Sequence, residues 1–234
     1  MEHFGQLPLP PYIEYTKEKE KDYQTVFAKK EGSVAAPTAS LHFTQALLDR
    51  IKNEKQYVTL HVGLGTFKGI DVSDIREYQI HGETIEIEKS LFETITTMKQ
   101  SGKKVVAVGT TACRTLESLP HLWAHLSQEE KNTFDDMTQA FWNETQEHAN
   151  PEYIHAIRLE NEHYFFETTI YIFPGKPFLV IDELITNFHL PESSLLVLVS
   201  ALIGTENMKR IYRHAIEKRY RFFSFGDGMY IRTK

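Results

Sequence analysis

The chain has 234 residues, 41% of them hydrophobic, one cysteine and a formal net charge of −6. That length and apolar content exclude a disordered chain and predict one sizeable α/β domain or two small ones, while the lone Cys113 excludes a disulfide framework or a cysteine-rich zinc site. Residues 1–12 are Pro-rich without a basic start and an apolar core, and the longest apolar run, at 195–203, is too short to span a bilayer, so a cytoplasmic protein is expected.

In chain order, Pro8, Pro10 and Pro11 predict an extended entry over residues 1–16, followed by a short helix near 22–30. Three segments then share one pattern: a short apolar or β-branched run, a Thr/Ser/Asn turn and a helical stretch. They begin at SVAAPTAS (33–40), KKVVAVGTT (103–111) and FLVIDELITNFHLPE (178–192). Strands alternating with helices predict a mixed, partly parallel sheet flanked by helices. Residues 57–62 and 81–88 read as further strands, with a helix at 91–100. In HGETIEIE, period-2 alternation puts His81 and Glu83 on the same inward face as Ile85 and Ile87. Residues 120–163, acidic and aromatic-bearing, interrupt the rhythm and read as an inserted helical subdomain. The helix from Pro191 is apolar nearly all round and is expected to be buried.

The acidic balance argues at first against nucleic acid, because phosphate contacts need cations. The distribution weakens that objection: residues 127–162 hold nine acids and two bases, a local −7 that leaves +1 for the rest. Residues 209–221 then hold Lys209, Arg210, Arg213, Lys218, Arg219 and Arg221 against Glu217. A solvated helix face and an RNA contact both fit such a run.

Parallel strands place their C-terminal ends on one edge, where open α/β sheets bind ligands, so the three turns are expected to converge there. They supply Pro37, Thr38 and Ser40; Gly109, Thr110 and Thr111; and Thr186, Asn187, His189 and Glu192. Helix-start N–H groups beside hydroxyls suit carboxylate, ribose or phosphate, although N-capping alone also explains them. The segment HVGLGTFKG (61–69) superficially resembles a dinucleotide fingerprint, but no clear helix and no acid-ended second strand follow it; close approach of backbone to a ligand suits it better. No histidine pair has metal-ligand spacing, so no metal is expected. Cys113 fits a small core residue better than a nucleophile. An inward imidazole beside an inward carboxylate makes His81 and Glu83 the best acid/base pair, and a satisfied structural pair fits the same pattern.

The blocks PLPPYI (8–13), APTASLHFT (36–44), VTLHVGLGTF (58–67), IHGE (80–83), VAVGTTACRTLES (106–118), TNFHLPESSLLVLVSALIG (186–204) and YRFFSFGDGMYI (220–231) resemble, in order, blocks of the S-adenosylmethionine:tRNA ribosyltransferase-isomerase family of queuosine biosynthesis. They cover most of the chain outside 119–163. Family members are longer, with a further α/β segment and an inserted β-barrel domain before the first block. Both are absent here, so residues 1–234 are expected to be the main α/β domain, with an inserted helical segment at 119–163. Gly82 stands where a serine is usual, Gly228 where an alanine is usual, and Tyr78 replaces a histidine often found before the IHGE block.

The resemblance implies transfer and isomerisation of the ribosyl group of S-adenosylmethionine onto 7-aminomethyl-7-deazaguanine in tRNA, with S-adenosylmethionine as donor substrate and tRNA as partner. On that reading Glu83, His81 and His61 are the catalytic candidates. Thr38, His42, Gly63, Gly65, Thr66, Thr110, Thr111, Arg114, Asn187, His189 and Asp227 are the substrate-binding candidates. Lys209, Arg210, Arg213 and Arg221 would meet tRNA. Two other readings stand beside it: a truncated S-adenosylmethionine- or tRNA-binding module without turnover, and an unrelated nucleotide-binding enzyme such as a methyltransferase.

Overall fold

The computed structural model describes residues 13, 16, 22–30, 32, 33, 35–63 and 69–232. Its strands are β1 (Thr59–His61), β2 (Glu83–Glu88), β3 (Val106–Val108), β4 (Ile154–Glu160), β5 (His163–Thr168), β6 (Glu183–Asn187) and β7 (Gly228–Arg232). Its α-helices are α1 (Gln45–Arg50), α2 (Leu91–Gln100), α3 (Thr110–Glu117), α4 (Leu119–His125), α5 (Gln128–Lys131), α6 (Asp136–Thr145), α7 (Ser194–Ile203) and α8 (Thr205–Glu217).

The mixed α/β class holds, but as two sheets. One is antiparallel throughout, in the order β1-β2-β5-β4; the other has the order β3-β6-β7, with β3 parallel to β6 and β7 antiparallel. The expected parallel element is therefore the β3/β6 pair, each strand of which runs into a turn and a helix. The first of the three patterned segments differs. Residues 35–37 form no strand, and Thr38–His42 is a 3₁₀ turn before α1, whose start is capped by Thr44 accepting from Leu47 N. Residues 23–30 run as turns rather than the expected helix.

The stretch from 119 onward is not helical throughout. After α4, α5 and α6 it ends in β4, which hairpins onto β5 through Asn161 and Glu162, both at positive φ (50° and 60°) as a two-residue I′-type turn requires. Nor does it stand apart from the core. Phe92 on α2 sits among Trp123, Phe134, Trp142 and Tyr164 at ring separations of 5.3, 5.7, 4.9 and 6.1 Å, and Trp142 Nε1 donates to the Phe92 carbonyl at 3.1 Å. These rings join one buried cluster with Ile85, Leu184 and Val199. Both tryptophans are fully buried against Phe92 of α2, so this stretch buries its largest apolar side chains on the main core.

Helix α7 starts at Ser194, with Ser193 accepting from Leu196 N, and is less buried than its composition predicts: Ser194, Leu198, Val199 and Ser200 are buried, the other side chains half-buried. No helix among the described residues is long and apolar enough to cross a membrane.

Candidate active site where three turns meet

Gly109 closes β3 and opens α3 at φ 92°, a conformation disfavoured for residues with a Cβ, while its N–H donates to the Ile185 carbonyl at 2.8 Å. A Cβ there would lie 3.8 Å from Ala39, so the second turn comes close to the first. Asn187, buried at the end of β6, ties the third turn to the first: Thr38 Oγ1 donates to its Oδ1 at 3.3 Å, and its Nδ2 donates to His42 Nε2 at 3.1 Å. The three turns thus converge, and a cavity of about 190 Å³ opens between them.

Among the residues expected to bind substrate, Thr38, Thr110, Thr111, Asn187 and His189 line this cavity. His42 is exposed and reaches the site through Asn187. Gly63 lies next to the lining residue Val62; Gly65 and Thr66 lie outside the described residues. Asp227 is engaged elsewhere, its carboxylate accepting from Arg221 N (2.8 Å) and the Arg221 guanidinium (2.8 Å), which holds it below the usual carboxylate range.

His189 is a buried imidazole lining the site. Loss of hydration lowers its pKa to about 4, so the imidazole is neutral at neutral pH. Its Nε2 is 2.9 Å from Thr186 Oγ1, and its backbone N–H donates to the Tyr212 hydroxyl at 2.9 Å, which burial pushes up to about 12. Glu192, also lining the cavity, has φ 57° and accepts from Ile70 N at 2.8 Å through its carbonyl.

The expected acid/base pair is separated. The strand begins at Glu83, not His81, so the alternation does not extend to His81, which is exposed. Glu83 does point inward, where its carboxylate pairs with the buried Arg114 guanidinium; Arg114 Nε donates to the Ile170 carbonyl at 3.3 Å, and Nη2 has no hydrogen-bond partner among the described residues. Arg114 therefore sits one turn into α3 as a partner of β2 and does not line the cavity. His61 is half-buried, with Nδ1 3.1 Å from where a Gly32 Cβ would stand. None of these three catalytic candidates lines the cavity.

Sequence reasoning missed Tyr23, Val62, Phe188, Phe223 and Ser224, which complete the walls. Tyr23 and Phe188 carry no signal in the sequence that distinguishes them from other buried aromatic residues. Phe223 takes φ 72°, an outlier for a bulky side chain that no pattern in the sequence announces, and its N–H donates to the Phe188 carbonyl at 3.0 Å. Among the described residues no three His, Cys, Asp or Glu side chains are grouped to hold a metal.

Fold and cavity together define a mixed α/β protein with a cavity at the C-terminal ends of a parallel strand pair, the edge where open α/β sheets bind ligands. Residues 1–231 match the family model described as queuosine biosynthesis protein, and the chain belongs to that family. It is also similar to the crystal structure of an S-adenosylmethionine tRNA ribosyltransferase from Thermotoga maritima, with 32% identity and a TM-score of 0.54. The match covers 82% of this chain and 51% of that one, so the chain spans about half the length of the ribosyltransferase.

Proposed function

We propose that this protein is the main α/β domain of an enzyme that transfers and isomerises the ribosyl moiety of S-adenosylmethionine onto 7-aminomethyl-7-deazaguanine in tRNA, the epoxyqueuosine-forming step of queuosine biosynthesis. The observation that carries it is the cavity built from three hydroxyl- and amide-bearing turns in a chain whose family match runs over residues 1–231. The ribosyl donor needs ribose hydroxyls and a carboxylate held by donors, and an adenine whose departure is assisted by a hydrogen bond. Thr110 and Thr111 supply the donors, Asn187 is held in place by Thr38, which donates to it, and by His42, and the neutral His189 can donate or accept a hydrogen bond without bringing charge.

A sulfonium acidifies the neighbouring 5′ C–H, so a positioned base completes the site. Glu83 meets Arg114 rather than the cavity, which suits it to fixing α3 against β2. Glu192, a cavity-lining residue three positions after His189, is the carboxylate proposed to accept the proton. The basic residues of α8 and its C-terminal flank, Lys209, Arg210, Arg213 and Arg221, are proposed to meet tRNA phosphates.

One observation favours a second reading, binding without turnover: Glu83, His81 and His61 all lie outside the cavity lining. Incubation with labelled S-adenosylmethionine and tRNA carrying the deazaguanine separates the alternatives. Adenine release with epoxyqueuosine formation supports the transferase, retention of intact donor supports the binding module, and S-adenosylhomocysteine would make the protein a methyltransferase.

A further inference from the structure

Helix α8 ends in a strap, residues 218–227, whose backbone is closely hydrogen-bonded and twice left-handed. Tyr220 N donates to the Ala215 carbonyl at 2.9 Å across Arg219, which takes φ 58°, a left-handed helix terminus normally given to glycine. Phe223 is left-handed too, at φ 72°. The strap is closed by Asp227 N donating to the Arg221 carbonyl at 2.8 Å, and Gly226 is packed so tightly that a Cβ would stand 2.5 Å from that same carbonyl.

This frame holds two aromatic rings outward. Tyr220 is 44% and Phe225 40% exposed. Each leans on a wall of the cavity: Tyr220 against Phe188 at 5.7 Å, Phe225 against Tyr23 at 5.8 Å. Within seven residues of Tyr220 along the chain, Arg213, Lys218 and Arg219 are exposed and have no carboxylate partner among the described residues. An apolar protein partner would disfavour uncompensated cations at such a patch, whereas exposed rings beside free cations are the means by which proteins grip single-stranded nucleic acid. A left-handed position that glycine would occupy at least cost is instead held by an arginine, which points to use of the charge.

We infer that the strap is a stacking platform for an unpaired RNA base adjacent to the nucleotide that enters the cavity, with Tyr220 and Phe225 as the stacking rings and Lys218 and Arg219 as phosphate contacts. The inference rests on tRNA being the substrate and adds where an unpaired loop is held and by which side chains.

The test uses the full chain and an RNA stem-loop with 2-aminopurine in the loop, read by fluorescence across a salt series. Wild type should quench the probe on binding. Tyr220→Ala and Phe225→Ala should each weaken binding roughly tenfold or more with the salt slope unchanged, and Phe225→Trp should retain it. Arg219→Gly, which relieves the left-handed strain and so should not unfold the chain, should still weaken binding and lower the salt slope by about 0.7. Affinity of Arg219→Gly and Phe225→Trp for S-adenosylmethionine, measured in parallel, should stay within about twofold, since the first removes no ring and the second keeps an aromatic side chain against Tyr23. Undiminished RNA binding by both alanine variants would overturn the platform while leaving the tRNA reading intact. So would self-association abolished by Phe225→Ala without an effect on RNA. Wild-type protein that binds S-adenosylmethionine but no stem-loop would overturn both the platform and the tRNA reading.

Discussion

Replacing Glu83 by Gln tests whether this carboxylate is framework or base. Glu83 and Arg114 are 5% and 6% exposed, and their pairing joins β2 to α3 across 31 positions of sequence. The amide keeps the shape and one acceptor but removes the charge opposite a guanidinium that already has one buried nitrogen, Nη2, without a partner among the described residues. Removing one member of a buried ion pair costs about 3–5 kcal/mol, because the remaining charge stays desolvated. The isosteric amide should fall at the low end, about 3 kcal/mol. For a domain of this size that lowers Tm by roughly 6–12 °C, since each kcal/mol shifts it by about 2–4 °C. The double variant Glu83→Gln/Arg114→Met removes both charges and should recover most of the loss. Denaturant titration of the single and double variants, with turnover per folded molecule measured in an active enzyme, is the assay. A Glu83→Gln protein of wild-type stability whose turnover falls by 10²- to 10⁴-fold, as loss of a general base does, would refute the framework role and restore Glu83 as base.

Trp142→Ala should cost about 3–5 kcal/mol and shift far-UV circular dichroism and fluorescence in one coincident transition; separate transitions would show that residues 119–163 fold apart from the rest. Two buried groups should oppose each other in the pH dependence of stability. His189, lowered to about 4 from 6.5, contributes stability that is present above pH 6.5 and is lost as pH falls toward 4. Glu117 on α3 is raised to about 7 from 4.5 by burial, despite accepting from the N–H groups of Ile181, Leu179 and Val180, so its contribution is greatest below pH 4.5 and is lost as pH rises through 7. His189→Gln should therefore flatten the acid side and Glu117→Gln the neutral side of the urea-midpoint profile, each by up to about 3 kcal/mol; unchanged profiles would refute the assignments. Charge reversal at Arg210 and Arg213 should weaken tRNA binding and flatten its salt dependence by about one to two phosphate contacts. An unchanged slope would return this helix face to mere solvation.

Much of the architecture is legible locally. The isoleucines of β2, the Thr, Ser and Asn residues that open α1 and α7 and the turn between β6 and α7, and the glycine before α3 each report a backbone requirement met within a few residues. Because β3 and β6 are parallel, the convergence of Gly109–Thr111 with Thr186–His189 follows from topology, and Thr38 is drawn to the same place by Asn187. An inward-facing Glu83 is likewise readable from the alternation. What local pattern cannot reveal is the partner. Whether an inward carboxylate meets a ligand or a guanidinium depends on which helix packs over the strand, and Arg114 arrives from 31 positions away. His81 faces solvent because the strand starts two residues later, a boundary set by pairing of Glu83 with Thr168 rather than by composition. Residues 119–163 interrupt the strand-helix rhythm, yet their tryptophans complete the main core, since burial is decided by which surface is nearest in space. The strap at 218–227 shows the same division: its arginines and aromatics can be counted in sequence, but their exposure, strained backbone and position beside the cavity exist only once β7 has paired with β6 and closed the chain against Phe188.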